Sequence, residues 1–379
     1  MAQKRSIFEE VDSVEKPQAQ AGVIDRAKNP GARRAIRAWL MMLFTLVVIM
    51  IAVGGLTRLT DSGLSITEWE PVSGVLPPLT EEAWLVEFEK YKQTTEYKEQ
   101  NAGMTLAEFK VIYWWEWGHR QLGRFIGLVW GVGFVYFAAR RQIPTGWTSR
   151  LLFLGALGGL QGAIGWWMVK SGLEEGMLDV EPYRLATHLG LAFIILGLIC
   201  WYVLRLGRSE ADLMQARRNA APGLKRLVSG LLHLSYLQII LGALVAGNDA
   251  GRTYTDWPLM GGEFFPSLAF EFEPIWRNFF EGEALVQFNH RMLGYAVIAF
   301  GLIIWFISRR SANTATKQSF DWVAVMLFGQ MVLGVGTVLY AAPWHLAIAH
   351  QLGAVALVCL ILRARFHTMY PTTQTVKRG

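Results

Sequence analysis

The chain has 379 residues, of which 53% are hydrophobic and 17% are charged, and its formal net charge is +6. This composition is more apolar and less charged than that of soluble proteins, so it excludes an ordinary globular enzyme. The two cysteines, Cys200 and Cys359, both fall in apolar stretches, which excludes an exported disulfide framework.

The first 36 residues are polar and charged, and they contain no apolar run followed by a small-residue cleavage site. They therefore do not form a secretory signal. Transit peptides are usually poor in acids, whereas this segment contains Glu9, Glu10, Asp12 and Glu15. We expect residues 1–36 to form a disordered cytosolic tail.

Eight apolar runs follow, each of roughly 18–22 residues, which is long enough for a helix to cross a membrane. The predicted spans are 38–56, 112–139, 151–169, 185–204, 227–246, 285–307, 321–340 and 345–363. Two long acidic loops, 57–111 and 247–284, connect some of them, and residues 80–100 predict an amphipathic helix on the membrane surface. A charged linker, 206–226, divides the chain, and residues 367–379 form a second cytosolic tail.

The charges of the connecting segments indicate the orientation in the membrane. With the amino terminus inside, Lys and Arg outnumber Asp and Glu by about three to one in the inner segments, and acids predominate outside. This asymmetry predicts a multi-pass protein with both termini in the cytosol. Because the basic charge is explained by topology, we expect no nucleic-acid partner.

An internal repeat organises the chain. Residues 61–69 (DSGLSITEW) match 249–257 (DAGRTYTDW), and 119–123 (HRQLG) match 290–294 (HRMLG). Gln161 with Gly165 matches Gln330 with Gly334, and THLG at 187–190 resembles AHQLG at 349–353. Each half contains four spans, so the repeats are parallel. The predicted fold is an all-α membrane protein of two four-helix bundles, residues 37–205 and 227–366.

Four histidines occupy matched positions near the outer ends of the even-numbered spans: His119, His188, His290 and His350. An ionisable residue inside a membrane span points to function, and neutral imidazole is a common axial ligand of haem iron. Two histidine pairs therefore predict two haem sites, without covalent attachment because no CxxCH motif occurs. Zinc would need three or four clustered ligands, which favours haem. The unmatched His233, His345 and His367 are interpreted as structural.

One carboxylate breaks the symmetry of the two halves. Glu116 lies three residues before His119, on the same helix face, and its counterpart before His290 is Gln287. Such a carboxylate can act as a base or stabilise developing positive charge, which places the chemistry in the amino-terminal half. Arg120 and Arg291 directly follow His119 and His290, and Arg124 lies one helical turn beyond Arg120. All three are explained equally well as interfacial side chains or as clamps for haem propionates.

Taken together, GGLTRLTDSGLSITEW, the ExxHR box at 116–120, ATHLG, FNHR and AHQLG resemble the haem A synthase family, in its alphaproteobacterial branch. The resemblance implies oxidation of a methyl group of haem O to the formyl group of haem A, by successive hydroxylations with water-derived oxygen. It implies that His119 and His188 hold the substrate haem, that His290 and His350 hold a haem b cofactor, and that Glu116 assists at the methyl group.

The resemblance further implies a place in cytochrome c oxidase assembly in the bacterial inner membrane, with haem sites near the periplasmic side. Haem O synthase is the expected partner, beside membrane lipid and an electron acceptor that the sequence does not identify. Some bacterial members carry a cysteine pair in an outer loop, which this chain lacks.

Two other functions compete with the enzyme. The first is a non-catalytic dihaem b-type electron carrier. It is disfavoured because each of the four even-numbered spans supplies one histidine and all four histidines lie near the outer face, which does not suit electron transfer across the membrane. The second is a transporter, which is disfavoured because the spans lack midplane acids and broken helices.

Overall fold

A computed structural model describes residues 30–373 of the chain. Within these residues the regular structure is helical, with no β-strand. Residues 1–29 of the predicted amino-terminal tail lie outside the described residues. The first helix begins at Pro30, so the prediction of disorder is wrong for residues 30–36. The last helix likewise continues to Met369, past the predicted start of the second tail at 367.

Eight helices are long and apolar enough to cross a membrane, which confirms the eight predicted spans. They are α1 (Pro30–Leu59), α4 (Leu106–Ala139), α5 (Thr148–Gly172), α6 (Pro182–Leu206), α8 (Pro222–Gly247), α9 (Glu283–Ser308), α10 (Thr314–Leu339) and α11 (Trp344–Met369). Six of the eight helices extend beyond both ends of the apolar run that predicted them, because polar residues also form the first and last turns, and α4 extends only beyond the first end. The tenth helix instead ends at Leu339, one residue before the predicted end.

Three short helices lie in the connecting segments: α2 (Glu81–Tyr91), α3 (Thr95–Glu99) and α7 (Glu210–Arg217). The single surface helix predicted for 80–100 is therefore wrong, since the segment forms two helices. The side chain of Thr94 accepts a hydrogen bond from the Tyr97 amide and so starts a new helix. In the predicted linker, Ser209 and Asp212 form a capping box that begins α7.

The long helices form two sets of four. In the first set, α1 and α5 each contact α4 and α6, and in the second set α8 and α10 each contact α9 and α11. The sets meet where α6 packs on α8 and where α11 packs on α1 and α6. Buried residues of α11 contribute to the apolar core of both sets. Cys200 on α6 and Cys359 on α11 are free thiols that contact each other at this junction.

Four connecting segments lie on one face of the molecule: 60–105, 173–181, 248–282 and 340–343. The repeated DSG and DAG segments turn there in the same way, because Asp61 (φ 47°) and Asp249 (φ 50°) both adopt the left-handed conformation. Arg58 contacts both of these aspartates, at 2.9 and 2.6 Å, and Asp179 at 3.5 Å. A single guanidinium thus joins the matched turns of the two halves.

Candidate functional site

The structure brings His290 and His350 together between α9 and α11. Their ring centres are 6.4 Å apart and their planes are inclined by 79°. Two imidazoles that bind one metal ion from opposite sides, each through a nitrogen at about 2 Å, have ring centres about 6 Å apart. The spacing of this pair therefore fits a single metal ion held between two histidines, as in a haem with two axial imidazoles.

The other pair, His119 on α4 and His188 on α6, lies in the first set of helices, close enough for their charges to interact. Each of the four histidines packs against a glycine of a neighbouring helix. A Cβ added there would approach a ring atom to within 2.9–3.2 Å: Gly54 at His119, Gly165 at His188, Gly242 at His290 and Gly334 at His350. Such contacts are tighter than ordinary packing, so a side chain at any of these glycines displaces a ring.

Three of the four histidines are also contacted by a glutamine located one helical turn before the glycine. Gln161 Nε2 lies 3.1 Å from His188 Nδ1 and donates to the His188 carbonyl oxygen at 3.0 Å. Gln238 does the same to His290, at 3.1 and 2.9 Å. Gln330 donates to the backbone carbonyl oxygen of its histidine, at 3.1 Å.

His119 is the exception, because no glutamine stands at the matched position. The match of Asp61 with Asp249 aligns Gly54 with Gly242, and it therefore aligns Met50 with Gln238. Met50 is located four residues before Gly54, and its methyl group would be 3.5 Å from a Cβ added at Gly123. A thioether thus stands at the position that an amide occupies in the other half, where Gln238 Nε2 would be 3.3 Å from a Cβ added at Gly294.

Glu116 is buried, with 2% of its surface exposed, and all of its acceptor positions are used. One oxygen accepts hydrogen bonds from Ser65 Oγ at 2.7 Å and from the Ile66 amide at 2.8 Å. The other accepts from Arg120 Nε at 3.1 Å and Nη2 at 2.6 Å. The four donors around this carboxylate fix its orientation beside His119.

The arginines that follow the first histidine of each pair have matching partners. Arg120 donates to the carbonyl oxygens of Ile66 and Glu68, and Arg291 donates to those of Tyr254 and Asp256. These acceptors occupy equivalent positions in the repeated loops. Both guanidinium groups therefore fasten the loop to the helix that carries the histidine. Propionate binding by either arginine stays a prediction.

Arg124 donates to the carbonyl oxygens of Glu70 and Pro71, at 2.7 and 3.1 Å. It lines a cavity of about 370 Å³ together with Trp117 and Arg120. Arg124 Nη1 and Trp117 Nε1 are buried without a hydrogen-bond partner. The predicted contact of Arg124 with a propionate stays untested, although a free donor group remains on this side chain.

The predicted structural histidines lie away from the two pairs, and His233 and His345 are exposed. In the described part of the chain, no group of three or more His, Cys, Asp or Glu side chains could hold a metal ion. The functional residues that the sequence analysis missed are Gln238 and the glycines on α1 and α8. The repeat offset already aligned Gly54 with Gly242, which was the available signal.

An acidic group lies beside the site, in the loop between α1 and α4. Glu96 is 3% exposed, and its Oε2 has no hydrogen-bond partner. Burial, together with the nearby carboxylates of Asp179, Glu116 and Asp61, raises the pKa of Glu96 to about 8. Glu96 is therefore a carboxyl group that stays protonated at neutral pH.

Comparison with known proteins gives a consistent family assignment. The model of the COX15-CtaA family, described as cytochrome oxidase assembly protein, matches residues 37–362. The haem A synthase of Dinoroseobacter shibae is 66% identical over 100% of this chain and 99% of its own length. The haem A synthases of Roseobacter denitrificans (60%, 100% of both chains) and Jannaschia sp. (61%, 100% of this chain and 99% of the relative) are similarly close.

Proposed function

The chain belongs to the COX15-CtaA family of cytochrome oxidase assembly proteins, and we propose that it acts as a haem A synthase. The reaction is the oxidation of a methyl group of haem O to the formyl group of haem A, for the assembly of cytochrome oxidase. The observation that carries this conclusion is 60–66% identity to haem A synthases over the full length of the chain. The paired histidines in the membrane-spanning helices support it.

In our proposal the amino-terminal half holds the substrate. His119 and His188 bind the iron of haem O, and the glycines packed against them leave room for the rings to meet it. Glu116 keeps a negative charge one helical turn from His119, where Ser65, Ile66 and Arg120 hold it in place. Removal of electrons from the methyl group develops positive charge, which a fixed anion stabilises without any proton transfer.

The carboxy-terminal half holds the cofactor in this proposal. His290 and His350 would hold haem b, because their 6.4 Å ring separation suits one iron between them. Bound haem b would supply one-electron chemistry. The residues of this half only hold the haem in position. Gln287 is neutral where the other half has Glu116, so no carboxylate lies beside His290.

We propose that the chain lies in the bacterial inner membrane with both termini in the cytosol and the haem sites near the periplasmic side. The positive-inside charge pattern supports this topology. Haem O synthase is the proposed neighbour, because haem O is too apolar to diffuse freely through water. Conversion of methyl to formyl releases four electrons and four protons, so an electron acceptor is required as well.

The direct experiment is expression of the full chain alongside a source of haem O, in a host that makes no haem A. Chromatography of the extracted pigments should then show haem A. Haem b alone, with no haem O or haem A under any expression condition, would instead identify a dihaem b-type electron carrier. A colourless purified protein would contradict both functions.

A further inference from the structure

We propose that Gln161, Gln238 and Gln330 are positioning residues that hold three of the four haem-ligating histidines, and that Met50 leaves the fourth, His119, easier to release. The haem of the amino-terminal half would then exchange, while the haem of the carboxy-terminal half stays bound. This inference rests on the proposed function, because it assumes that both histidine pairs bind haem.

The first argument is the recurrence of one contact on three different helices. In each case the glutamine stands four residues before the glycine that packs on the histidine ring, on α5, α8 and α10. In each case Nε2 donates to the backbone carbonyl oxygen of that histidine, at 2.9–3.1 Å. A side chain that reaches across from a neighbouring helix fixes the position of the helix turn that carries the ligand.

The second argument is the unused oxygen of each amide. Gln161 Oε1, Gln238 Oε1 and Gln330 Oε1 are all buried without a hydrogen-bond partner. A buried acceptor left unpaired costs free energy, and native structures contain few of them. A histidine that binds metal through one nitrogen donates the N–H of the other to a nearby acceptor, which orients the ring. In the structure Nε2 rather than Oε1 lies beside the ring nitrogens of His188 and His290, so the oxygens take this role only when the amides turn over as the histidines bind metal.

The third argument is the substitution at the fourth position. Met50 is nearly isosteric with glutamine, but its thioether cannot donate to a carbonyl oxygen and is a weak acceptor. The carboxy-terminal pair therefore has two amide-held histidines, and the amino-terminal pair has one. This difference suits their proposed roles, since a substrate must enter and a product must leave while a cofactor must remain.

The test is the rate of haem loss from the purified full chain in detergent, followed by visible absorption after addition of excess haem-free myoglobin. When a residue that holds a metal-binding histidine in place is lost, metal binding typically weakens by about 10- to 100-fold. Gln238→Met should therefore speed the loss of haem b by a factor in this range. Met50→Gln should slow the loss of haem A or haem O from the other site by a similar factor.

Two further variants separate positioning from general stability. Ser229→Ala removes another hydrogen bond that bridges helices, because Arg365 Nε on α11 donates to Ser229 Oγ on α8 at 3.0 Å. This control should leave both rates within about twofold of the wild type, as expected for a contact that does not touch a histidine. Gln238→Glu keeps the size of the side chain but cannot donate to the His290 carbonyl oxygen, so it should also speed the loss of haem b.

The outcomes distinguish this inference from the proposed function. A wild-type protein that carries no haem would overturn the proposed function. If the wild-type protein carries two haems and the loss rates are equal in Gln238→Met, Met50→Gln and the Ser229→Ala control, the inference is overturned and the proposed function still stands. Equal rates of loss from the two sites of the wild type would also overturn it.

Discussion

The two halves of the membrane region share a scaffold and differ at the few positions that decide what each half does. Both have a histidine pair, glycines against the rings and an arginine that fastens the matching loop. They differ where Glu116 replaces Gln287 and where Met50 replaces Gln238. In the proposed function, haem ligation therefore belongs to the residues that the two halves share, whereas chemistry and haem exchange belong to the residues that differ.

The largest expected effect is the loss of a histidine from either half. His119→Ala should reduce haem A formation by at least about 100-fold, because the substrate iron loses an axial ligand. His290→Ala should do the same by removing the cofactor. Haem A in membrane extracts is the measurement. His233→Ala is the matched control, since His233 is exposed and outside both pairs, and it should leave the yield unchanged.

The next largest effect tests whether the charge of Glu116, which Gln287 lacks, is needed for the reaction. Glu116→Gln keeps the size of the side chain and removes the charge, so haem content should stay near that of the wild type while conversion falls by about 100-fold. Glu116→Ala should stall conversion in the same way. The pigment ratio of haem O to haem A, from chromatography, reports the effect. Normal haem A accumulation in these variants would remove Glu116 from the mechanism.

The reciprocal change tests whether the charge matters only in one half. Gln287→Glu places a carboxylate next to Arg291, which already contacts the glutamine at 3.3 Å. We expect haem A formation to change by less than about threefold, because no substrate methyl group lies there in the proposed arrangement. A loss as large as that of Glu116→Gln would mean that the two halves do not divide the labour.

A smaller effect tests the connection between the halves. Arg58→Leu leaves three aspartates without their shared cation, and it should lower the free energy of unfolding by about 1–2 kcal/mol, since these aspartates are partly exposed. Thermal unfolding in detergent would show it. Arg252→Leu is the control, because Arg252 contacts Asp249 only at 3.6 Å and is exposed; we expect little change.

The smallest effect concerns pH. The pKa of Glu96 is about 8 in the folded protein, above its ordinary value, so the unfolded chain binds fewer protons in the window between the two. Glu96 therefore lowers stability progressively as the pH rises from about 4.5 to about 8. Glu96→Gln should raise the Tm by a few degrees at pH 8.5 and leave it unchanged at pH 4.5. The exposed Glu99, changed to Gln, should show no such pH dependence.

Much of this architecture follows from the sequence, because hydropathy and internal repetition are local signals. The eight spans were predicted from apolar runs, and the histidine pairs were predicted from residues such as His119 and His290 that recur at one register. The partners of a side chain depend on which helices become neighbours. The contacts of Gln238 with His290, and of Arg120 with the Ile66 carbonyl oxygen, therefore needed the folded structure.

The break between α2 and α3 shows a second limit. The apolar and charged pattern of residues 80–100 suits one helix, but Thr94 caps a new one three residues after α2 ends. A side-chain cap changes the backbone path at one residue, and the pattern of hydrophobic residues does not reveal it.

The central claim is that each half holds a different haem, and the kind of haem that each single-histidine variant retains tests it most directly. Protein expressed with a haem O source should contain haem b together with haem O or haem A. His188→Ala should retain only haem b, and His350→Ala should retain only haem O or haem A. The assignment of substrate and cofactor to separate halves would be contradicted if both variants lost the same pigment, or if either substitution left the pigment content unchanged.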